Sequence, residues 1–213
     1  MLLFVNFKSY PEATGREAML LIREIEEKIG YRDDIAVVTN PLDSLIDTSI
    51  KKYIQNAEAV EPGPMTGHIP VPLLKKYGYS GVMLNHSEFK LPLESIGKAV
   101  SMSKSYGMRT LVCAADIQEL EKISEFRPDM VAYEPPELIG GNISVSTAKP
   151  EIIRQASRIL EGKGIKLIVG AGIKEGKDVR MSRELGADGV LVASGVVKSK
   201  EPIKVIEELL REV

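Results

Sequence analysis

Short aliphatic runs alternate with longer amphipathic segments from one end of the chain to the other. The runs are Leu2-Leu3-Phe4-Val5, Ile35-Ala36-Val37-Val38, Gly81-Val82-Met83-Leu84, Thr110-Leu111-Val112, Met130-Val131-Ala132, Leu167-Ile168-Val169 and Val190-Leu191-Val192. Apolar positions that are continuous, not alternating, predict strands buried on both faces, and so a parallel sheet covered by helices. Gln55-Asn56-Ala57-Glu58-Ala59 is a weaker eighth candidate, too polar to stand on pattern alone.

The segments between the runs carry helical spacing. Ala18, Leu21, Ile22, Ile25 and Ile29 line one face behind a Thr14…Glu17 capping-box pattern. A second helix opens at Pro150, carries Ile153, Ala156 and Leu160, and stops near Gly162. A third opens at Pro202 and continues through Ile203, Ile206, Leu210 and Val213. Eight strands with seven or eight helices predict an α/β fold, a closed parallel eight-stranded (β/α)8 barrel occupying residues 1–213 as one domain. A doubly wound open sheet competes with it, and periodicity does not separate the two.

Polar groups follow three of the runs directly: Asn6-Phe7-Lys8, Asn85-His86-Ser87-Glu88 and Tyr133-Glu134-Pro135-Pro136. Parallel strands share a direction, so these segments converge on one face of the sheet. A cation, an imidazole and a carboxylate gathered there suit proton transfer next to a carbonyl. Each has a blander account alone: a carboxylate before a turn, a structural histidine, a surface Lys–Glu pair worth little. Their joint placement favours chemistry.

Over nearly its full length the chain resembles the triosephosphate isomerases, in their shortened archaeal form. The resemblance rests on Val5-Asn6-Phe7-Lys8, Gln55-Asn56, Thr66-Gly67, Asn85-His86-Ser87-Glu88, the stretch from Tyr133 to Gly140, Gly170-Ala171-Gly172-Ile173 and the stretch from Gly189 to Gly195. It implies Glu134 as general base, His86 as neutral electrophile and Lys8 as the cation beside a developing enediolate. Asn6 and Phe7 would join Lys8 in binding substrate, and Glu88 would orient Lys8. Ile139, Gly140, Gly172, Ala193 and Ser194 would present backbone to a phosphate, with a short helix after Ala193-Ser194. Pro135-Pro136 and Gly140-Gly141 have the layout of a hinged lid. The segment from Glu58 to Ile69, with Met65 at its tip, would insert beside a neighbour's active site, making the protein a homo-oligomer. His68 in that segment reads as a contact or surface residue. The implied reaction acts on a small phosphorylated triose without cofactor or metal. Two departures from the family pattern stand out: Gly140-Gly141-Asn142 at the lid's end, and Phe89-Lys90 after Glu88.

Composition narrows the remaining classes. A net charge of −2 argues against broad binding to nucleic acid or anionic membrane, which needs clustered basic residues. Cys113 is the only cysteine, so no intrachain disulfide forms, and a reducing, cytoplasmic setting is expected. Asn6 and Lys8 cut the first apolar run too early for a signal sequence, and no stretch reaches transmembrane length. A metal-dependent pentose-phosphate epimerase is a competing barrel enzyme, but His68 and His86 are the only histidines and no spaced His/Asp set accompanies them. A phosphate-binding paralogue without turnover is the non-enzyme alternative. Retention of Asn6, Lys8, His86 and Glu134 together speaks against it.

Overall fold

Eight parallel strands close into a barrel in their sequence order in the computed structural model, which describes residues 1–141 and 144–213. They are β1 (Leu2–Asn6), β2 (Ile35–Thr39), β3 (Lys51–Ile54), β4 (Gly81–Leu84), β5 (Arg109–Ala114), β6 (Met130–Tyr133), β7 (Lys166–Gly170) and β8 (Gly189–Val192). Closure is made by β1, which pairs with β2 on one side and with β8 on the other, Val5 opposite Val192. That pairing removes the doubly wound alternative.

Alternation inside each short run divides the apolar residues between two cores. Leu3, Val5, Val37, Leu84 and Val190 point outward into the layer beneath the helices. Phe4, Val38, Tyr53, Met83, Leu111, Ile168 and Leu191 fill the barrel interior, where Phe4 meets Tyr53 edge to face with centroids 5.2 Å apart. Gly81 is needed at this point, because a Cβ there would lie 2.3 Å from the Tyr53 ring.

The outer layer consists of α1 (Arg16–Ile29), α2 (Leu93–Ser105), α3 (Ile117–Ser124), α4 (Val145–Ala148), α5 (Pro150–Leu160), α6 (Gly176–Glu184), α7 (Ser194–Val197) and α8 (Pro202–Leu210). The crossovers after β2 and β3 contain no α-helix. A 3₁₀ turn at Pro41–Asp43 and a 3₁₀ stretch at Val71–Tyr77 take their place, which is how a short chain completes the barrel. No helix among the described residues is long and apolar enough to cross a membrane.

Three expectations need correction. The third strand is β3, not the segment 55–59. Its Lys51-Lys52 start disguised it, yet Lys52 is buried: Nζ donates to the carbonyls of Ser44 (3.0 Å) and Ile46 (2.6 Å) and lies over the Tyr79 ring. The aliphatic stem packs while the ammonium is satisfied by backbone, so a lysine occupies a core position. The capping box at Thr14 does not form either. Gly15, at φ 69°, precedes α1 and donates its N–H to Asp43 Oδ1 at 2.6 Å, while Thr14 Oγ1 donates to the Tyr10 carbonyl. A capping box does occur at α6, between Glu175 and Asp178. Finally, α8 ends at Leu210, short of Val213.

Candidate active site

All three polar strand-end segments meet at the C-terminal mouth of the barrel. Asn6 closes β1 facing inward and is almost fully buried. Lys8 turns the chain at φ 49°, a conformation that costs a non-glycine residue energy. Its backbone is held from both sides: its N–H donates to Asn6 Oδ1 (3.0 Å), and its carbonyl accepts from Gln55 Nε2 (2.7 Å). Its Nζ pairs with Glu88 Oε1 at 2.6 Å.

His86 follows Asn85, which also sits at positive φ (61°). The Asn85 amide is fully occupied: Nδ2 donates to the Cys113 carbonyl and Glu119 Oε1, and Oδ1 accepts from the Leu91 N–H. Glu119 also accepts from the Ala115 N–H and from Lys90. Burial alone would raise the Glu119 pKa, but these donors hold it below the usual carboxylate range. This network ties the His86 turn to β5. The Glu88 N–H donates to His86 Nδ1 at 3.2 Å, whereas the Glu88 carboxylate is 3.6 Å from that nitrogen, too far for a hydrogen bond. An accepting Nδ1 puts the ring's hydrogen on Nε2, which faces the site.

Glu134 follows β6 and is 6% exposed. Its Oε2 lies 3.6 Å from His86 Nε2, and both atoms are buried without a hydrogen-bond partner. Burial raises the Glu134 pKa, a shift that His86 and Lys8 partly oppose. The Cys113 thiol packs against the carboxylate, and burial together with that charge pushes the thiol pKa up, so it stays neutral. Gly170, ending β7, makes room: a Cβ there would stand 2.4 Å from Glu134 Oε1.

Two adjoining spaces share Asn6, Lys8 and Tyr10. One, about 420 Å³, is bordered by Gln55, His86 and Glu88. The other, about 40 Å³, is enclosed by Glu134, Ile139, Gly140, Gly172, Ala193 and Ser194. The expected phosphate loops are therefore brought together, and α7 begins at Ser194. After Glu134 the chain runs through Pro135 into the 3₁₀ turn Pro136–Leu138, and Gly140 has φ 71°. Beyond it Lys149 pairs with Glu137, and the Val145 N–H donates to the carbonyl of Ala171, itself at φ 75°. Asn142, the lid departure, lies outside the described residues.

Phe7 is not brought to the site. Its side chain is fully buried in the layer between barrel and helices, and its N–H donates to the Val38 carbonyl. Three contributors escaped the sequence reading. Gln55 lies just past a strand and not within one, Gly170 acts only through the space it leaves, and Glu119 sits in a helix away from the strand-end motifs. The Gln55-Asn56 and Gly170-Ala171-Gly172 motifs are the signals available for the first two.

The triosephosphate isomerase family profile matches residues 1–209. Similar proteins include the triosephosphate isomerases of Thermoplasma volcanium (39% identical, covering 97% of this chain and 98% of that one), Methanocaldococcus jannaschii (37%, 99% of each) and Caldivirga maquilingensis (37%, 98% and 96%).

Proposed function

The chain belongs to the triosephosphate isomerase family and is an isomerase, and on that premise we propose that it interconverts dihydroxyacetone phosphate and D-glyceraldehyde 3-phosphate through an enediolate, a step shared by glycolysis and gluconeogenesis. The observation that carries the mechanism is the pair His86 Nε2 and Glu134 Oε2, 3.6 Å apart, buried and otherwise unpartnered. Polar atoms left bare in a dry site cost stability, and a substrate that bonds to both removes the cost.

In this reading Glu134 removes the proton from the carbon next to the carbonyl and returns it to the neighbouring carbon. Burial raises its basicity toward the working pH. The Nε2–H of His86 bonds to the carbonyl oxygen and tightens as charge develops there. Lys8, held by Asn6, Gln55 and Glu88, supplies fixed positive charge beside the enediolate and the phosphate. Backbone at Ile139, Gly140, Gly172, Ala193 and Ser194 receives the phosphoryl group. No group of three His, Cys, Asp or Glu side chains among the described residues is arranged to hold a metal. A coupled assay starting from glyceraldehyde 3-phosphate tests the proposal. Turnover is expected with and without a chelator; turnover abolished by the chelator would favour a metal-dependent barrel enzyme instead.

The protein works as a homo-oligomer in the same reading, through the segment 58–69. Glu58 Oε2 accepts from the Ile69 N–H at 2.6 Å and pins the base of the loop, while residues 61–68 project with Met65 among them. A single buried thiol, Cys113, suits a cytoplasmic setting.

A further inference from the structure

His86 and Glu134 follow β4 and β6, with β5 between them, and at 3.6 Å their facing atoms are too far apart to bond. Their separation is therefore set from outside the pair. On one side the sheet does this. Pairing between β5 and β6 runs to Ala114 opposite Tyr133, and the Ala114 carbonyl accepts from the Glu134 N–H at 2.9 Å. On the other side the sheet stops short. Pairing between β4 and β5 ends at Leu84 opposite Val112, and the chain leaves the strand at Asn85, φ 61°. His86 is carried by a turn that the ladder no longer holds.

Side chains take over at that point. Asn85 is 2% exposed, and its Nδ2 donates to the Cys113 carbonyl at 2.8 Å and to Glu119 Oε1 at 2.9 Å. The other oxygen of Glu119 accepts from the Ala115 N–H at 2.7 Å. Cys113, Ala114 and Ala115 at the end of β5 thus hold the His86 turn, Glu134 and Glu119 in that order. Glu119 closes the circuit, with one oxygen on the turn and the other on the strand end. Its own place is fixed in the first turn of α3, where its N–H donates to the Asp116 cap at 2.8 Å. Lys90, past the turn, pairs with the same oxygen as Asn85.

This circuit needs both oxygens of Glu119 as acceptors. Burial works against its charge, but the Ala115 N–H, Lys90 and Asn85 outweigh burial and keep it ionised. Asn85, Lys90 and Glu119 border neither space at the mouth of the barrel, so they act on substrate only through other residues. We propose that Glu119 is a positioning residue for the isomerisation: by bridging Asn85 to Ala115 it fixes His86 Nε2 against Glu134 Oε2. This role rests on the reaction proposed above.

Glu119→Gln nearly preserves the side-chain volume but offers one acceptor where two are needed, so its amide N–H must face the N–H of Asn85 or of Ala115. Lys8 and the phosphate loops are untouched. In the coupled assay kcat is expected to fall about tenfold to 100-fold, while KM and the Kd of phosphoglycolate stay within about twofold of wild type. Asn85→Gly cuts the same bridge from its other end, and glycine takes φ 61° without strain, so this variant carries the test if the first does not fold. It is expected to lose kcat to a similar extent. The double variant is expected to lose about threefold less than the product of the two single losses, because both changes break one link. A merely structural role would lower the melting temperature and leave kcat per phosphoglycolate-binding site at the wild-type value, and that result would overturn the proposal. Losses that multiply in the double variant, or a rise in KM and Kd in step with the fall in kcat, would overturn it as well. A wild-type protein that does not turn over glyceraldehyde 3-phosphate removes the reaction and this role with it, whereas normal kcat in both single variants removes the role alone.

Discussion

Glu134 is a charge buried at a cost to stability, and its titration makes that cost measurable. Its folded pKa lies above the ordinary 4.5, chiefly through burial. Below pH 4.5 both folded and unfolded states hold the proton, and Glu134 contributes nothing. Between 4.5 and the folded pKa only the native state holds it, so stability falls as pH rises through this window. Above the folded pKa the full cost of the buried carboxylate is present. Glu134→Gln should therefore be inactive yet more stable than wild type at pH 8, with the advantage gone at pH 4; denaturant melts at the two pH values read this directly. The same shift should put the acid limb of kcat/KM above pH 4.5. Gly170 sets the carboxylate's position. Gly170→Ala places a methyl 2.4 Å from Oε1, and a displacement of about 1 Å is expected to reduce kcat about 100-fold in a folded protein. Wild-type turnover in that variant would show that the carboxylate has room to spare. Glu134, His86 and Lys8 were legible because side-chain chemistry at a strand end announces itself. Gly170 was not, because its contribution is an absence of atoms whose neighbour lies 36 residues away in the sequence.

Strand β3 shows what hydrophobic pattern misses at the level of elements. Lys52 stands where an aliphatic residue was expected, and it connects β3 to the helix-free crossover that precedes it. Its ammonium bonds the carbonyls of Ser44 and Ile46, and its charge offsets the buried carboxylate of Asp43, whose Oδ2 has no hydrogen-bond partner. Desolvation raises the Asp43 pKa and lowers that of Lys52; the Gly15 N–H and then Lys52 oppose the first shift, and Asp47 and then Asp43 oppose the second. Lys52→Met preserves length and apolar volume but leaves two carbonyls and a carboxylate without their cation. The expected loss is about 2 kcal/mol, or roughly 4–8 °C in melting temperature for a chain of this size. A variant that melts at or above the wild-type temperature would mean that the crossover is held by packing alone. The other strands and the helices opening at Pro150 and Pro202 were readable because burial and proline geometry leave local marks. The capping of α1 was not, since the partner of Gly15 is Asp43, brought close only by the fold.

At the scale of the whole molecule, closure itself lay beyond sequence pattern, because it depends on β1 meeting β8 across the length of the chain. The consequence of closing a barrel with two helix-free crossovers is also global. Leu42 and Leu45, in the segment between β2 and β3, are 80% and 84% exposed, and Met65 stands out on the loop that follows β3. A barrel that omits part of its helical layer leaves apolar side chains that a second copy is suited to cover. The loop 61–68 leaves the same mouth of the barrel as Lys8 and His86, so a partner seated there would also steady Asn6 and Lys8, whose backbone already leans on Gln55 just ahead of that loop. Assembly and activity are then expected to fail together. Replacing Met65 and Thr66 with charged residues buries unpaired charge at the contact, a change costing several kcal/mol per site. Light scattering should show the double variant as a monomer, and the coupled assay should show most activity lost, while the far-UV circular dichroism keeps its wild-type helical signal. A wild-type protein that is monomeric at assay concentration and fully active would overturn this link, and the strained turn at Lys8 would then have to be held by Asn6, Gln55 and Glu88 alone.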